Sequence, residues 1–461
     1  MRTTRLFHLT VFILSMLLSF SCDDVLEPKP VDLLTNDLVL NEPSDVGNVE
    51  IGIYNAFRDM AAVTVIAGDF TADMLIFNGT FSQYRELGTK QISSANASVN
   101  ALYKAIYKTI YVANFMLERL PNVAGVPTAQ KNQASGTAHF LRGYAYFIAV
   151  NTFGGVPLVL TTDIEANRNI PRASIDEILA QITDDYSTAL GLVPEDPANE
   201  GFVGVHAVQA ALARMSLYQG NWSQAASFAT QVIESGDYAL EPDFATVVTE
   251  DFTSESILDA AYTIADDPGT DGNFGLNNLF VGRREIIPSN ETTLALTSTA
   301  SGKREASMSF DLGSLNGTDN GWSVAKYGTA DAGNNDVMVF RLAEMYLIRA
   351  EARAQLDNVT GTSSAQSDIN VLRERSKKRP EDNVEVPSVG KSQMLRLIEE
   401  ERRYELAFEG HRWYDLKRTG RLDEVMSAFS PNWRNNYQLW PIPQSEIQNN
   451  PALVGNQNPG Y

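Results

Sequence analysis

Hydrophobic residues recur with a helical period over most of this chain. Between Ala101 and Leu120 an apolar residue returns every three or four positions, and Pro121 marks the end of the segment. Similar patterns cover 133–153 and 174–190, and the second of these opens with Ser-x-x-Glu, the sequence of a capping box. The patterns predict amphipathic helices joined by short loops.

Two regions have the pattern of helical hairpins. Residues 206–235 contain two apolar stretches of similar length on either side of Gly220 and Asn221, and small alanines line their expected contact. A second pair covers 341–356 and 366–376. Because a single hairpin cannot bury both of its faces, about four such pairs are expected to stack. We therefore predict a mainly α fold of tetratricopeptide-like helical pairs with long irregular excursions and a few short strands.

The excursions are two long segments in which the helical period is lost, 64–98 and 240–335. Both are rich in Gly, Asn, Asp, Ser and Thr and carry scattered aromatic residues, and such segments on a regular body commonly carry recognition. A sugar-binding surface needs apolar ring faces and fixed polar partners for hydroxyl groups. The candidate ligand-binding residues are Phe77, Asn78, Phe81, Tyr84, Arg85, Phe274, Phe280, Arg283, Trp322 and Tyr327.

Each of these aromatic residues has a simpler interpretation, in which it anchors its own loop to the body. For any single residue this interpretation is favoured over ligand contact. Trp322, which follows Asn320 and Gly321 in a polar stretch, is the strongest single candidate for a ligand contact.

The N-terminus has a different pattern from the rest of the chain. Arg2 and Arg5 precede a largely apolar run over residues 6–20, and the small residue Ser21 precedes Cys22, the only cysteine. This order of charge, apolar core and small residue is that of a secretory signal. The apolar run is about 15 residues long, shorter than the roughly 20 that cross a bilayer as a helix.

We therefore predict a lipoprotein signal peptide at 1–21, a lipid anchor on Cys22, a polar tether over 22–40 and a single body over 41–461. An ordinary signal peptide followed by an unrelated cysteine is the alternative. If Cys22 is acylated, no thiol remains for a disulfide, a nucleophile or a cysteine metal site. Removal of the signal peptide changes the formal net charge from −21 to −23, and such a surface repels the phosphates of nucleic acids.

Few residues point to metal or catalytic chemistry. Four side chains among glycines in the second excursion are candidate Ca²⁺ ligands: Asp266, Asp267, Asp271 and Asn273. Their spacing lacks the downstream glutamate of an EF-hand loop, so a solvated turn is favoured. No P-loop, G-x-S-x-G elbow or zinc spacing occurs, and no other cofactor is predicted.

Three C-terminal segments, within a signature region at about 326–461, carry a family resemblance. Residues 341–352 are RLAEMYLIRAEA, 401–416 are ERRYELAFEGHRWYDL, and 441–461 are PIPQSEIQNNPALVGNQNPGY. In this order they resemble the starch-utilisation D family of Bacteroidetes, SusD and its relative RagB. The LRGYAYFIAVNTFGGVPLV segment and the N-terminal cysteine agree with the resemblance, which extends over essentially the whole chain.

The resemblance implies a non-enzymatic lipoprotein on the outer face of the outer membrane. Such a protein covers a SusC-like TonB-dependent transporter and captures a glycan, or a peptide in the RagB branch, before import. The acidic residues directly after Cys22 are similar to the surface-export signal of Bacteroidetes lipoproteins. The resemblance implies no binding residue position by position. The alternatives are a RagB-like peptide-uptake protein, a surface glycoside hydrolase with two nearby carboxylates, and a structural lid with little affinity of its own.

The acidic residues of the signature have a structural interpretation. On a continuous helix Glu401, Glu405 and Glu409 share one face, which predicts a seam of ion pairs. A metal or acid/base cluster of Glu405, Glu409 and His411 is the alternative, but the segment lacks the HExxH spacing. The scaffold interpretation is therefore favoured.

Overall fold

The structure, a computed structural model, describes residues 39–197, 200–262, 275–328 and 335–461. The predicted lipid-anchor residue Cys22, the aromatic candidate Phe274 and the four candidate Ca²⁺ ligands Asp266, Asp267, Asp271 and Asn273 lie outside the described residues.

Helices make up most of the described chain. In the N-terminal half they are α1 Asp45–Val65, α2 Ser82–Thr89, α3 Ala97–Arg119, α4 Thr128–Phe153, α5 Ile164–Asn167, α6 Ile175–Leu190, α7 Val205–Tyr218 and α8 Trp222–Ser235. In the C-terminal half they are α9 Phe244–Thr249, α10 Asn290–Leu296, α11 Leu342–Gln355, α12 Ala365–Ser376, α13 Lys391–Glu405, α14 Arg412–Arg418, α15 Leu422–Phe429 and α16 Gln444–Asn449.

The long helices form one continuous stack. Helix α1 packs on α3, α3 on α4, and α4 on α6; α7 follows against α6, α8 against α7, and α11 lies between α8 and α12. The packed pairs α1 with α3, α4 with α6, α7 with α8, and α11 with α12 thus each contact the next pair along the described chain. This confirms the predicted mainly α architecture of stacked helical pairs.

Local sequence signals account for several helix boundaries. The predicted capping box is present: the backbone N–H of Glu177 donates to Ser174 Oγ at 3.2 Å, and the N–H of Ser174 donates to Glu177 Oε2 at 2.8 Å. Gly220, at the turn between α7 and α8, has a φ of +72°, a conformation that glycine adopts without strain. The predicted hairpin turn is therefore in the right place.

In the described part of the chain, six short strands connect the excursions to each other and to the body: β1 Leu75–Phe77, β2 Ser256–Ala260, β3 Ile286–Pro288, β4 Met308–Phe310, β5 Trp322–Val324 and β6 Val337–Arg341. They form three antiparallel pairs, β1 with β3, β2 with β6 and β4 with β5. In the first pair Leu75 faces Pro288 and Phe77 faces Ile286, so a strand of the first excursion pairs with one of the second. The excursions also contain helices α2, α9 and α10, and are less irregular than the sequence predicted.

The acidic signature forms a buried ion-pair network, although not on one continuous helix. Helix α13 ends at Glu405, and Phe408 and Gly410 both have positive φ, so the expectation that Glu409 continues the same helical face is wrong. The carboxylates nevertheless converge. Arg304 contacts Glu401 and Glu405 at 2.5 Å each, and Arg341 contacts Glu409 at 2.9 Å.

Further cations complete the network. Arg375 bridges Glu255 and Glu405 at 2.5 Å each, and Arg341 contacts the same two carboxylates at 3.0 and 2.7 Å. Burial alone would raise the pKa of Glu405, but Arg375, Arg304 and Arg341 hold it well below its usual value. The network joins the second excursion, β6, α12 and α13, which confirms the scaffold interpretation of the signature.

Within the described residues, no helix combines the length and the apolar character that crossing a membrane requires.

Candidate ligand surface

The two excursions meet at a polar junction built around Asp319. Asn78 Nδ2 donates to Asp319 Oδ2 and to the backbone carbonyl of Arg284, both at 3.0 Å. The guanidinium of Arg284 donates to both oxygens of Asp319, at 2.7 and 2.5 Å. Partial burial would raise the pKa of Asp319, but the hydrogen bonds from Arg284 and Gly321 hold it below its usual value. The junction therefore fixes the geometry of both segments with a charged, fully engaged carboxylate.

A second contact joins the loop at Thr80 and Phe81, which follows β1, to residues 283–285, which immediately precede β3. The backbone N–H groups of Thr80 and Phe81 donate to Glu285 Oε2 at 2.7 and 2.9 Å, which holds this loop in place. The guanidinium of Arg283 lies 4.3 Å from the centroid of the Phe81 ring, a cation–π contact. The Arg283 side chain remains 44% exposed. Its donors can therefore reach a solvent-side ligand.

The β4–β5 hairpin supplies the largest aromatic faces. Phe310 and Trp322 face each other across the strands, with ring centroids 5.1 Å apart and an interplanar angle of 52°. Phe310 is 49% exposed, and Leu312 and Leu315 of the same hairpin are 71% and 54% exposed. The backbone carbonyl of Trp322 accepts a hydrogen bond from Arg284 at 2.8 Å, which ties the hairpin to the Asp319 junction.

These contacts define a surface that we call the excursion surface. It consists of Phe77, Asn78, Phe81, Arg85, Arg283, Phe310 and Trp322. It combines half-buried aromatic rings with an amide and two exposed guanidinium groups on a fixed polar base. Flat apolar faces beside hydrogen-bond donors suit a ligand that has both CH faces and hydroxyl groups.

Six of the ten sequence candidates lie on this surface: Phe77, Asn78, Phe81, Arg85, Arg283 and Trp322. Three others are corrected. Tyr84, Phe280 and Tyr327 are at most 1% exposed and belong to the core. Tyr327 donates to the backbone carbonyl of Phe408 at 2.7 Å, and its ring packs near Phe280. These three residues anchor their loops to the body, as the simpler interpretation had it.

Phe310, Leu312 and Leu315 are exposed on the β4–β5 hairpin but were not among the candidates predicted from the sequence. They stand in a stretch without a strong period, where each strand of the hairpin is only three residues long. The available signal was the position of Phe310 twelve residues before Trp322, across the glycine-rich and aspartate-rich turn of 311–321.

The residues of the proposed acid/base cluster are engaged in structure. Glu409 pairs with Arg341 and Lys326, while His411 Nδ1 lies 4.0 Å from Glu344. Burial holds the pKa of His411 well below its usual value. Among the described residues no group of three His, Cys, Asp or Glu side chains is placed to hold a metal ion.

A cavity of about 840 Å³ lies elsewhere, between the α6–α7 connection, α8 and β2. Acidic side chains are frequent in its lining, including Glu195, Asp196, Asp237 and Asp259, and none of the sequence candidates reaches it.

Comparisons with known proteins place the chain in a family. A model of the SusD family matches residues 315–461, and a model described as starch-binding and associating with the outer membrane matches 26–217. Two similar proteins from Formosa agariphila are the SusD-like protein P25, 25% identical, and the SusD-like protein P2, 26% identical; each alignment covers 98% of this chain and 99% of the relative. The chain belongs to the SusD family.

Solved structures of SusD-like proteins have the same fold. A laminarin-binding SusD-like protein superposes with a TM-score of 0.76 at 24% identity, over 91% of this chain and 100% of the other. A SusD homologue from Bacteroides thetaiotaomicron gives 0.79 at 19% identity, over 95% and 100%. The surface glycan-binding protein A from Bacteroides fluxus gives 0.71 at 22% identity, over 90% and 99%. The SusD-like fold predicted from the sequence is therefore confirmed.

Proposed function

We propose that this SusD family protein is a cell-surface glycan-binding lipoprotein, which captures an oligo- or polysaccharide and delivers it to a SusC-like TonB-dependent transporter. The observation that carries the proposal is the convergence of both excursions on the excursion surface. Relatives that are named for laminarin binding and for surface glycan binding support the choice of ligand class.

The surface has the chemistry of sugar recognition. The rings of Phe310 and Trp322 offer apolar faces to the CH side of pyranose rings, and Arg283 and Arg85 offer charged donors to hydroxyl groups. Hot spots in binding surfaces are typically such aromatic and arginine side chains. The hydrogen-bonded junction around Asp319 holds these side chains in place. Less conformational entropy is therefore lost on binding than if they stood on a flexible loop.

We also propose that the protein binds without cleaving its ligand. Glycoside hydrolysis needs two carboxyl groups flanking the bond, one of them able to donate a proton near neutral pH. The carboxylates at the excursion surface are unsuited to this role. Asp319 is held ionised by Arg284, and Glu285 is engaged by two backbone N–H groups.

The attachment to the membrane is part of the proposal. Acylation of Cys22 would anchor the mature chain to the outer face of the outer membrane, because each buried methylene of an acyl chain contributes about 0.8 kcal/mol. Metabolic labelling with a fatty acid and external protease treatment of cells test this step. We expect label that is lost in Cys22→Ser and protein that is digested from outside; unlabelled protein in the cytosol would contradict the anchor.

The binding step is tested by electrophoresis of the mature protein through gels that contain a panel of polysaccharides, beginning with laminarin and starch. We expect retardation by at least one glycan, with no shorter product after prolonged incubation. Released oligosaccharide would indicate a glycoside hydrolase. Retention of peptides but not of glycans would favour the RagB-like alternative, and calorimetry without heat for either class would favour a structural lid.

Delivery to the transporter is tested by affinity purification of the protein from solubilised outer membranes. We expect a TonB-dependent transporter to copurify in stoichiometric amount, and its absence after mild crosslinking would contradict this step.

A further inference from the structure

A second cavity, of about 540 Å³, lies between the turn joining α7 to α8 and the helices α11, α13, α14 and α15. None of the residues of the excursion surface lines it. Its walls combine the apolar faces of Trp222 and Leu395 with charged side chains from the four helices, among which Arg402 is the most buried.

Arg402 is the decisive residue. It is 3% exposed, and its Nε donates to Asp415 Oδ2 at 2.8 Å. Within the described residues its Nη1 and Nη2 groups are buried and have no hydrogen-bond partner. A buried donor without a partner costs free energy, and a guanidinium group that is only held at Nε leaves its outer donors available.

The neighbouring acids cannot satisfy these donors because they are engaged elsewhere. Glu351 binds Arg418 through both of its oxygens, at 2.6 and 2.7 Å. The second oxygen of Asp415 accepts from Arg418 Nε at 2.8 Å. Glu399 pairs with Arg421 at 3.0 Å. The missing acceptor for Arg402 therefore has to come from outside these ion pairs.

The charge of the lining indicates what kind of acceptor fits. Four arginines (Arg396, Arg402, Arg418 and Arg421) face four acids (Glu351, Glu399, Asp415 and Glu424). Within the described residues the exposed Arg396, at the rim, takes part in no ion pair. The lining is therefore formally neutral, and a ligand with one negative charge placed between Arg402 and Arg396 is repelled less by the four carboxylates than a dianion would be.

We propose that this cavity binds a small carboxylate-bearing ligand. The carboxylate accepts from Nη1 and Nη2 of Arg402 in the paired geometry that guanidinium and carboxylate groups share. Arg396 lies at the entrance, and the apolar part of the ligand packs on Trp222. The carboxylate has two possible sources, an acidic sugar or the C-terminus of a peptide. The site is separate from the excursion surface and does not depend on glycan binding there.

The experiment uses the mature protein and two matched pairs of probes, glucuronate with glucose and triglycine with triglycinamide. Each is titrated in NMR spectra of the tryptophan indole N–H groups, with the Trp222 signal assigned from Trp222→Phe. We expect saturable shifts of the Trp222 signal with at least one carboxylate probe and none with its neutral or amidated counterpart. A saturable shift with glucuronate but not with triglycine would identify an acidic sugar as the source of the carboxylate. A shift with triglycine but not with glucuronate would identify a peptide C-terminus. No saturable shift with either probe, or equal shifts within a pair, would overturn the proposal.

Variants test the assignment to Arg402. Arg402→Lys keeps a positive charge near Asp415 but removes the paired Nη donors. The affinity for the carboxylate probe should therefore fall at least tenfold. Arg396→Ala, at the exposed rim, should weaken it several-fold and provides the answer if Arg402→Lys does not fold. Arg168→Ala, an exposed arginine that does not line the cavity, is the matched control and should bind as the unaltered protein does. Undiminished binding by folded Arg402→Lys or by Arg396→Ala would contradict the site, as would loss of binding in Trp322→Ala alone.

Discussion

The buried network around α13 and the excursion surface both contain arginine side chains, but these have different roles in the two regions. In the network Arg304 is fully buried and is held by Glu401 and Glu405. On the excursion surface Arg283 lies over Phe81 and remains 44% exposed. Burial with complete pairing makes an arginine part of the scaffold, while partial exposure leaves it available to a ligand. The comparison predicts that substitutions in the first region change stability and that substitutions in the second change binding.

The largest effect is expected from Arg304→Met. Removing the cation leaves two buried carboxylates short of a partner, and breaking a buried pair in this way typically costs about 3–5 kcal/mol. Because Arg341, Arg373 and Arg375 still reach these carboxylates, we expect a loss near the lower end of that range, about 3 kcal/mol. Urea denaturation at pH 7 measures it.

Lys108→Met is the matched control. Lys108 pairs with Asp59 at 2.6 Å, but both side chains are more than half exposed, and such pairs contribute about 0–1 kcal/mol. Similar losses in free energy of unfolding for the two variants would contradict the view that burial sets the role of these cations.

The next effect concerns pH. Burial raises the pKa of Asp259 from 3.8 to about 7, with a further contribution from Asp251. The folded protein therefore binds this proton more tightly than the unfolded chain does, and the contribution to stability that is present below pH 4 is lost as the pH rises through 7. Relative to Asp259→Asn, the unaltered protein should lose on the order of 2–3 kcal/mol between pH 5 and pH 8, because one pKa unit corresponds to about 1.4 kcal/mol. Denaturation of both proteins across this range provides the check, and parallel curves would contradict the account.

The excursion surface should not share this pH dependence. The pKa of Asp319 is held below its usual value, so the carboxylate stays ionised from pH 5 to pH 8. We expect the affinity for a retained glycan to be constant over that range in calorimetry. A tenfold change would mean that a titrating group belongs to the site.

Trp322→Ala and Phe310→Ala are expected to act on binding. Each substitution removes one apolar ring face and should reduce the affinity for the glycan about tenfold, which corresponds to about 1.4 kcal/mol of binding free energy. The ring of Phe310 is 49% exposed, so Phe310→Ala should change the free energy of unfolding by about 1 kcal/mol or less. Trp322 also packs against the hydrophobic core, so Trp322→Ala should cost more stability than Phe310→Ala. Tyr111→Ala removes an exposed aromatic from α3 and should leave binding unchanged. Weakened glycan binding in Tyr111→Ala would contradict the assignment. Undiminished glycan binding in both Trp322→Ala and Phe310→Ala would also contradict it.

The smallest effect is expected from Arg85→Ala. Arg85 lies 6.0 Å from the centroid of Phe77, and an exposed cation–π contact contributes about 0.5–1 kcal/mol. The thermal midpoint should fall by a small amount, in contrast to Arg304→Met. A loss as large as that of Arg304→Met would place Arg85 in the scaffold.

The helical part of the fold could be predicted because its signals are local. Ser174 and Glu177 cap α6 as the sequence indicates, and the turn at Gly220 separates two helices with clear apolar periods. The end of α13 at Glu405 could not be seen, because the residues that follow are compatible with a helix. Close packing of Gly410 on Gly68, where an added Cβ on Gly68 would lie 1.9 Å from the Gly410 carbonyl oxygen, accompanies a turn there instead.

The candidate surface was predictable only in part. Composition pointed to the two excursions, but pairing of β1 with β3 and the Asn78–Asp319 contact join residues more than 200 positions apart. Single-sequence patterns do not encode such contacts. The same limit explains why Tyr84 and Tyr327, which look like solvent-side aromatics in polar stretches, proved to be buried.

The most direct test of the account is a crystal structure of the mature protein with the oligosaccharide that it retains. We predict density for sugar rings against Phe310 and Trp322, with hydroxyl groups within hydrogen-bond distance of Arg283. Density confined to the acidic cavity of about 840 Å³ between α8 and β2, with the excursion surface empty, would contradict the central claim.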